Sequence, residues 1–379
     1  MIKKIIFRNS KLIKMLIIGQ LPPPIHGSNI MTRIFLKSLK NIGYQTFLVQ
    51  KNFSSKQEEI GKFTFLKVIK IPIICFNIGK AIISFRPLLC FYFISVKYPT
   101  FFIDALFLII IKILRVKYVL YIHGQVMYNI GSNSSKFINF IVKKVLSGAF
   151  GAIILGENLR KDLNQFIPGH RLFILPNAIE DFESKKIVRK KKDSDAIKVL
   201  FLSNIRRSKG IIEFLHMVKI VIPKFKNVKF IIAGPIRCIS FKKEINNFIK
   251  DEELYTFIDM PGGVYGVQKE NLFQDCDIFV FPTHDEAFGL VNLEALKWGL
   301  PIVSTNVGAI PEIVHHGVNG FIVEPRDANK LADYLMVLLK DSELRTKMGN
   351  AGKEIYTKFF TINTYEKRLK TILYDLTML

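Results

Sequence analysis

The chain has 379 residues, is 49% hydrophobic and carries a formal net charge of +24. That length exceeds one ordinary core and suits two domains, and the apolar content excludes a globally disordered chain. Four scattered cysteines, Cys75, Cys90, Cys238 and Cys276, have no metal-ligand spacing and read as buried free thiols in a reducing cytosol, which excludes a disulfide scaffold.

The charge is unevenly placed. Residues 1–178 hold 25 Lys+Arg and 5 Asp+Glu, a net of +20, whereas residues 179–379 hold 30 and 26, a net of +4. A basic surface in the first half suits nucleic acid, an anionic membrane or an anionic substrate.

In chain order, "MIKKIIFRNSKLIKMLIIG" has lysines interrupting each apolar run, so no secretory h-region forms. Strand-like runs then recur at 14–20, 45–50, 89–96, 117–124, 151–156 and 171–177, separated mostly by helix-length segments. Short runs apolar on both faces that alternate with helices predict a parallel sheet. The most membrane-like stretch is 88–114, where Lys97, Pro99 and Asp104 break the ~18 apolar residues a spanning helix needs. It predicts a buried strand followed by an apolar helix able to touch a bilayer surface.

Residues 180–196, "EDFESKKIVRKKKDSDA", are charged without apolar period and read as a linker. The alternation restarts at 197–203, 228–235, 277–282, 300–305 and 320–325. The expected fold class is α/β, with two Rossmann-like doubly wound domains facing a central cleft and ligands at the carboxyl ends of the strands. The expected division is 1–179 (acceptor-binding), 180–196 (linker), 197–355 (donor-binding) and 356–379, a C-terminal helix packing back toward the first domain.

The chemistry concentrates in "FPTHDEAFGLVNLEALKWGLPIVSTNVGAIPEIV", residues 281–314. A strand ends at Pro282, a loop carries Glu286, and a helix starts near Phe288-Gly289 with Glu294 inside it. Free N–H groups at a helix start attract an anion, and a glycine lets that anion approach closely. Glu286 can accept hydrogen bonds from sugar hydroxyls and Glu294 from a second polyol, a spacing that suits a nucleotide-sugar. The plainer reading is an acidic helix start that only complements the dipole. A second cationic site is expected opposite, and "FLSNIRRSKG" supplies Arg206, Arg207 and Lys209 at another strand-to-helix turn. There the plainer reading is a solvated basic loop.

Together these motifs resemble the retaining "group 1" or GT4-type glycosyltransferases of the GT-B fold. The resemblance covers nearly the whole chain and is strongest over 197–325. It implies that Glu286 contacts the transferred sugar, that the Phe288, Gly289 and Leu290 amides contact sugar and phosphate, that Glu294 holds the ribose, and that Lys209 holds the diphosphate. The family often has Gly-Arg where this chain has Ser203-Asn204, so Arg206, ahead of Arg207, is the expected replacement cation. In the first half, "GQLPPPIHGSNIMTR" resembles the family's glycine-rich loop near diphosphate and acceptor, with Gly27 and Ser28 in it. It lacks the G-x-G-x-x-G pattern of a dinucleotide site. "YVLYIHGQ" puts His123 where the family keeps a histidine beside the transferred sugar; a hydrogen-bonded turn histidine is the plainer reading. His26 is a weaker candidate, and His315-His316 read as surface.

Asp-x-Asp occurs at Asp193–Asp195, in the linker, and at Asp275–Asp277, leading into a strand. Neither is expected to hold a metal, and no cofactor is expected. The function expected is metal-independent, retaining transfer of a sugar, most simply from a UDP-linked donor, to a lipid-linked glycan acceptor in O-antigen or capsule synthesis. The partners are then donor, acceptor and an anionic membrane surface, with the protein cytoplasmic and peripheral on the inner face of the membrane. A sugar-nucleotide epimerase of the same fold is the alternative. A nucleic-acid binder is disfavoured because no aromatic-basic motif occurs.

Overall fold

The computed structural model describes residues 13–23, 26–53, 65–96, 100–125, 136–180 and 196–378. Residues 1–12, and 181–195 with most of the expected linker and the Asp193–Asp195 pair, lie outside the described residues. The chain divides into two compact units, Met1–Asn177 with Asn363–Leu379, and Ala178–Ile362.

In the first unit the order is β1 (Lys14–Gly19), α1 (Gly27–Ile42), β2 (Gln45–Gln50), α2 (Phe65–Phe85), β3 (Leu89–Ile94), α3 (Thr100–Ile113), β4 (Lys117–Ile122), α4 (Lys136–Ser147), β5 (Gly151–Ile154) and β6 (Leu172–Ile174). The strands form one parallel sheet ordered β2-β1-β3-β4-β5-β6. Successive strand side chains point to opposite faces. Leu16, Ile18, Cys90, Tyr92, Leu120 and Ile122 pack with α2, α3 and α4. Phe91, Phe93 and Tyr121 point the other way and surround Phe35 of α1, with ring centroids 5.0–5.6 Å apart. Burial on both faces is why these strands read as continuous apolar runs.

The last helix, α11 (Ile362–Met378), belongs to this unit from Asn363 onward. Tyr365, Leu369, Ile372 and Leu373 are buried, and the Tyr365 hydroxyl lies 3.1 Å from that of Tyr121. Asp104 sits on the apolar helix α3 yet is buried. It is held by Lys51 Nζ at 2.6 Å, the Tyr92 hydroxyl at 2.7 Å and the Ser95 amide at 2.6 Å. A buried charge survives only when paired and hydrogen-bonded in this way.

The second unit runs β7 (Ile197–Leu202), α5 (Ile211–Val221), β8 (Val228–Ala233), α6 (Ile239–Asp251), β9 (Ile258–Gly262), α7 (Gly266–Asp275), β10 (Ile278–Phe281), α8 (Leu290–Trp298), β11 (Ile302–Thr305), β12 (Gly320–Val323), α9 (Ala328–Lys340) and α10 (Ser342–Phe359). Its parallel sheet is ordered β12-β11-β10-β7-β8-β9. The chain leaves β7 in one direction and returns through β10 in the other. The carboxyl ends of β7 and β10 therefore flank the switch point, where doubly wound sheets place their ligands. The expected α/β doubly wound class is what the sheets show. Strand β9 escaped the sequence reading because it is an edge strand with alternating exposure and contains Pro261, which only an edge tolerates.

Leu369→Ala should destabilise the first unit by about 2–5 kcal/mol, since its side chain is fully buried. Tyr365→Phe should cost only about 1 kcal/mol, the net worth of one hydrogen bond. Denaturant titration of the three proteins checks the ranking.

Candidate active site

Two loops meet at the switch point of the second unit. After β7, a single 3-10 turn, Arg207–Lys209, leads into α5 through Gly210, whose φ is +75°. A Cβ on Gly210 would lie 1.8 Å from the Pro282 carbonyl oxygen, so only glycine lets this turn press against the end of β10. The loop after β10 is bonded to it: the Thr283 hydroxyl donates to the Ser208 carbonyl at 3.1 Å, and the His284 amide donates to the same oxygen at 2.9 Å. The His284 Nε2 also lies 3.0 Å from Glu213 Oε2 at the start of α5.

Lys209 is drawn inward by this packing. Its Nζ lies 3.0 Å from Glu286 Oε2 and also donates to the Asp285 carbonyl. The other Glu286 oxygen accepts from the Ala287 amide at 3.1 Å, with the Phe288 amide at 3.5 Å. Burial alone would raise the Glu286 pKa, but the Lys209 charge and these amides outweigh it and hold the carboxyl below its usual range.

The start of α8 is shaped by two glycines. Gly289 caps it at φ +82°. Gly308, beyond β11 at φ +56°, lies so close that a Cβ would come within 2.2 Å of the Glu286 carbonyl. The Ala309 amide donates to the Ala287 carbonyl at 2.9 Å, so this second loop supports the first. Phe288 is buried, its ring 6.1 Å from that of Phe360, leaving its backbone rather than its side chain for any ligand. Leu290 opens the helix.

One turn further, Glu294 is paired through Oε1 with Lys269 of α7 at 2.5 Å. Its Oε2 is buried and has no hydrogen-bond partner among the described residues. Burial raises the Glu294 pKa, and Lys269 only partly offsets it. Beside it the Trp298 indole donates to Glu270 Oε2 at 2.7 Å, with Lys297 at 3.6 Å from the same oxygen. An orphaned carboxylate oxygen within reach of a cation is a ready acceptor for a ligand hydroxyl.

The two expected replacement cations differ. Arg207 pairs with Glu244 of α6 and lies over Phe241, 5.0 Å from the ring centroid. Arg206 is exposed at the head of the turn, next to exposed Asn204 and buried Ser203. Asp277 accepts from the Lys198 amide at 2.8 Å and so joins β7 to the approach to β10. Among the described residues no group of three His, Cys, Asp or Glu is placed to share a metal ion.

In the first unit, Gly27 and Ser28 are the first two residues of α1, not loop residues as expected. His26 caps the helix in extended conformation, and Ser28 Oγ lies 3.0 Å from its Nδ1. The physical reason is that the His26 carbonyl already accepts from Asn29 and Ile30, so the helical ladder begins there. His123 follows β4 with its ring 4.4 Å from Tyr121 and 5.5 Å from Phe93. Its Nε2 is buried without a hydrogen-bond partner among the described residues. Burial, reinforced by His26, lowers its pKa to about 3, so the ring is neutral at physiological pH.

Sequence reasoning missed Lys269, Gly308 and the His284–Glu213 contact. A glycine three residues beyond a strand end was the only signal for Gly308. Lys269 lay unremarked in a mostly polar run, in which Phe273 is the buried residue.

Residues 180–355 match the model of the family described as glycosyl transferases group 1. Over that segment, a little under half of its length, the chain is similar to this family. It is 27% identical over 269 residues to N-acetyl-alpha-D-glucosaminyl L-malate synthase of Bacillus anthracis, covering 69% of this chain and 68% of that protein. It is 32% identical over 171 residues to the capsular polysaccharide biosynthesis glycosyltransferase CapM of Staphylococcus aureus, covering 44% and 43%. Among solved structures, the sucrose-phosphate synthase of Thermosynechococcus elongatus superposes with a TM-score of 0.76 at 15% identity, covering 97% of this chain and 99% of that one. Anabaena HepE in complex with UDP gives 0.72 at 16% identity, covering 96% and 100%. The likeness shows the fold, two Rossmann-like units of the GT-B type.

The Lys209–Glu286 pair has a pH signature. Because the folded Glu286 pKa is depressed, its contribution is complete above the unfolded value of about 4.3 and is lost as pH falls through the folded value. Melting of wild type and Lys209→Met from neutral pH down to about pH 3 should show the wild-type advantage shrinking with acidity. A gap independent of pH would remove the pair as its source.

Proposed function

We propose that this chain is a group 1 glycosyltransferase that binds a nucleotide-sugar, UDP-linked, in its second unit and transfers the sugar with retention of configuration. The observation that carries this reading is the arrangement at the switch point. Lys209 and Glu286 are bonded across two loops, and one turn along α8 Glu294 keeps a buried unpartnered oxygen. The cation suits the diphosphate, Glu286 the transferred sugar, and Glu294 the ribose diol. The amides of Phe288, Gly289 and Leu290 supply donors at a helix start. HepE, solved with UDP and with UDP-glucose, supports the choice of nucleotide.

The acceptor attacks from the face that the leaving group departs, and the departing phosphate takes up its proton. Charge then grows on the diphosphate, and the enzyme's task is to stabilise it. Lys209, exposed Arg206 and the start of α8 do so without a metal ion. Neutral His123 supports the reacting centre at the transferred sugar, and the Gly27-Ser28 helix start serves the diphosphate and acceptor. A lipid-linked glycan at the inner face of a bacterial membrane, in surface polysaccharide assembly, is the acceptor proposed. The net of +20 over residues 1–178 and the similarity to CapM support it. A small soluble acceptor is the second reading, favoured by the similarity to the malate synthase.

Two experiments test the donor site. Glu294→Ala should weaken calorimetric binding of free UDP, whereas Glu286→Ala should weaken the sugar-nucleotide more than UDP. Unchanged UDP affinity in Glu294→Ala would remove its assignment to the ribose. In single-turnover transfer, Lys209→Ala should be slower by about 100- to 1000-fold, and Lys209→Arg should recover only part of this, because a guanidinium fork is not a compact ammonium. EDTA should leave wild-type transfer intact; its abolition would point to a metal-assisted mechanism instead.

A further inference from the structure

We infer that the outward face of α2 and α3 is an interfacial docking surface for an anionic lipid bilayer. The inference deepens the proposed membrane location and rests on that reading. Its evidence, however, lies in the first unit and is separate from the donor site.

Helix α2 carries two stripes. Ile74, Ile78, Ala81 and Ile82 are buried in the core. Ile69, Ile73, Phe76 and Ile83 fall on the opposite side at helical spacing and are exposed, Phe76 by 70% and Ile83 by 68%. A soluble helix normally places polar residues there. The neighbouring helix repeats the pattern. Leu106, Ile109 and Ile113 of α3 are exposed, Ile113 by 71%, while Phe101, Phe107, Leu108 and Ile111 are buried. Because α2 and α3 pack side by side on the same face of the sheet, their outer stripes form one broad apolar surface. Single exposed apolar residues need no explanation, but a contiguous patch marks an interaction site.

Charge identifies the occupant. Residues 65–147 hold 11 Lys+Arg and a single acidic residue, Asp104, and that one is buried against Lys51. Lys80 interrupts the outer stripe of α2, and Lys112, Arg115, Lys143 and Lys144 are exposed on and beside the adjoining helices. Apolar side chains flanked by lysines, with no exposed acid, complement anionic headgroups above acyl chains. A second copy of the chain fits poorly, since symmetric pairing would set the same basic face against itself. The mode is in-plane. Val68–Phe85 is long and apolar enough to cross a bilayer by length and composition. Yet its inner stripe is committed to the core, so crossing would require unfolding the unit.

The test is flotation of the full chain with phosphatidylcholine vesicles, with and without phosphatidylglycerol. Wild type should bind the anionic vesicles, less so at high salt, and should be released by alkaline carbonate. Phe76→Gln with Ile83→Gln should lower the partition coefficient by about tenfold or more, because two large apolar side chains no longer enter the interface. Ile239→Gln with Val267→Gln, equally exposed in the second unit, should bind as wild type does. Circular dichroism confirms that each variant is folded. Three results would overturn the inference: no binding of wild type at low salt, equal binding by the α2 variant, or resistance to carbonate. So would a dimer abolished by the α2 variant in a protein indifferent to vesicles. UDP calorimetry on the same variants reads the donor site separately, so failure of this face and failure of the donor assignment are distinguishable.

Discussion

The ion pair between Lys209 and Glu286 joins the ends of β7 and β10 where the sheet order reverses. Removing two charges from water costs several kcal/mol per ion before their attraction is counted. Such a pair persists only if its surroundings satisfy the remaining valences and hold both partners still. Here Lys209 also donates to the Asp285 carbonyl, and the Ala287 amide donates to the other carboxylate oxygen of Glu286. Gly210 and Gly308 let two neighbouring backbones approach closer than any Cβ allows. The Ser304 hydroxyl donates to Phe281 and the Thr305 hydroxyl to Thr283, so β11 braces the loop from behind. The candidate site is thus assembled by the sheet itself.

Two carboxylates in this unit are each half-buried and paired with a lysine, and differ in their other neighbours. Glu286 has a cation and backbone amides, and its pKa falls. Glu294 has one cation, a neighbouring glutamate and an orphaned oxygen, and its pKa rises. Environments that push like groups apart commonly mark divided roles. A fixed anion beside Lys209 suits a polarised reacting centre. A carboxylate short of one hydrogen bond suits a neutral diol that can supply it.

The first unit solves a different problem. Its sheet is covered on both faces, and among the described residues the interior tolerates charge where Lys51, Tyr92 and Ser95 converge on Asp104. The same Asp104 that breaks the apolar run of α3 in the sequence is thereby withdrawn from the surface. What the helix layer then presents outward is apolar and basic, with no acidic counterweight on those helices.

The parallel sheets were legible in the sequence because their inner strands are buried on both faces, which writes continuous apolar runs into the chain. That Lys209 and Glu286 sit at the strand ends of the second unit was legible because each strand-to-helix turn is written in a few adjacent residues. Contacts between distant segments were not. Lys269 covers Glu294 across 25 positions and Glu244 draws Arg207 aside across 37, and no local pattern records either. The sequence pointed to 88–114 as the membrane-like stretch, yet β3 within it is buried and the larger exposed face belongs to α2. The order of charged and apolar residues along the sequence determined that this chain is basic in its first half and doubly wound in both units. Which apolar residues face the core and which face outward was decided only by tertiary packing, because a helix that is apolar all round carries no sign of which side its neighbours will cover.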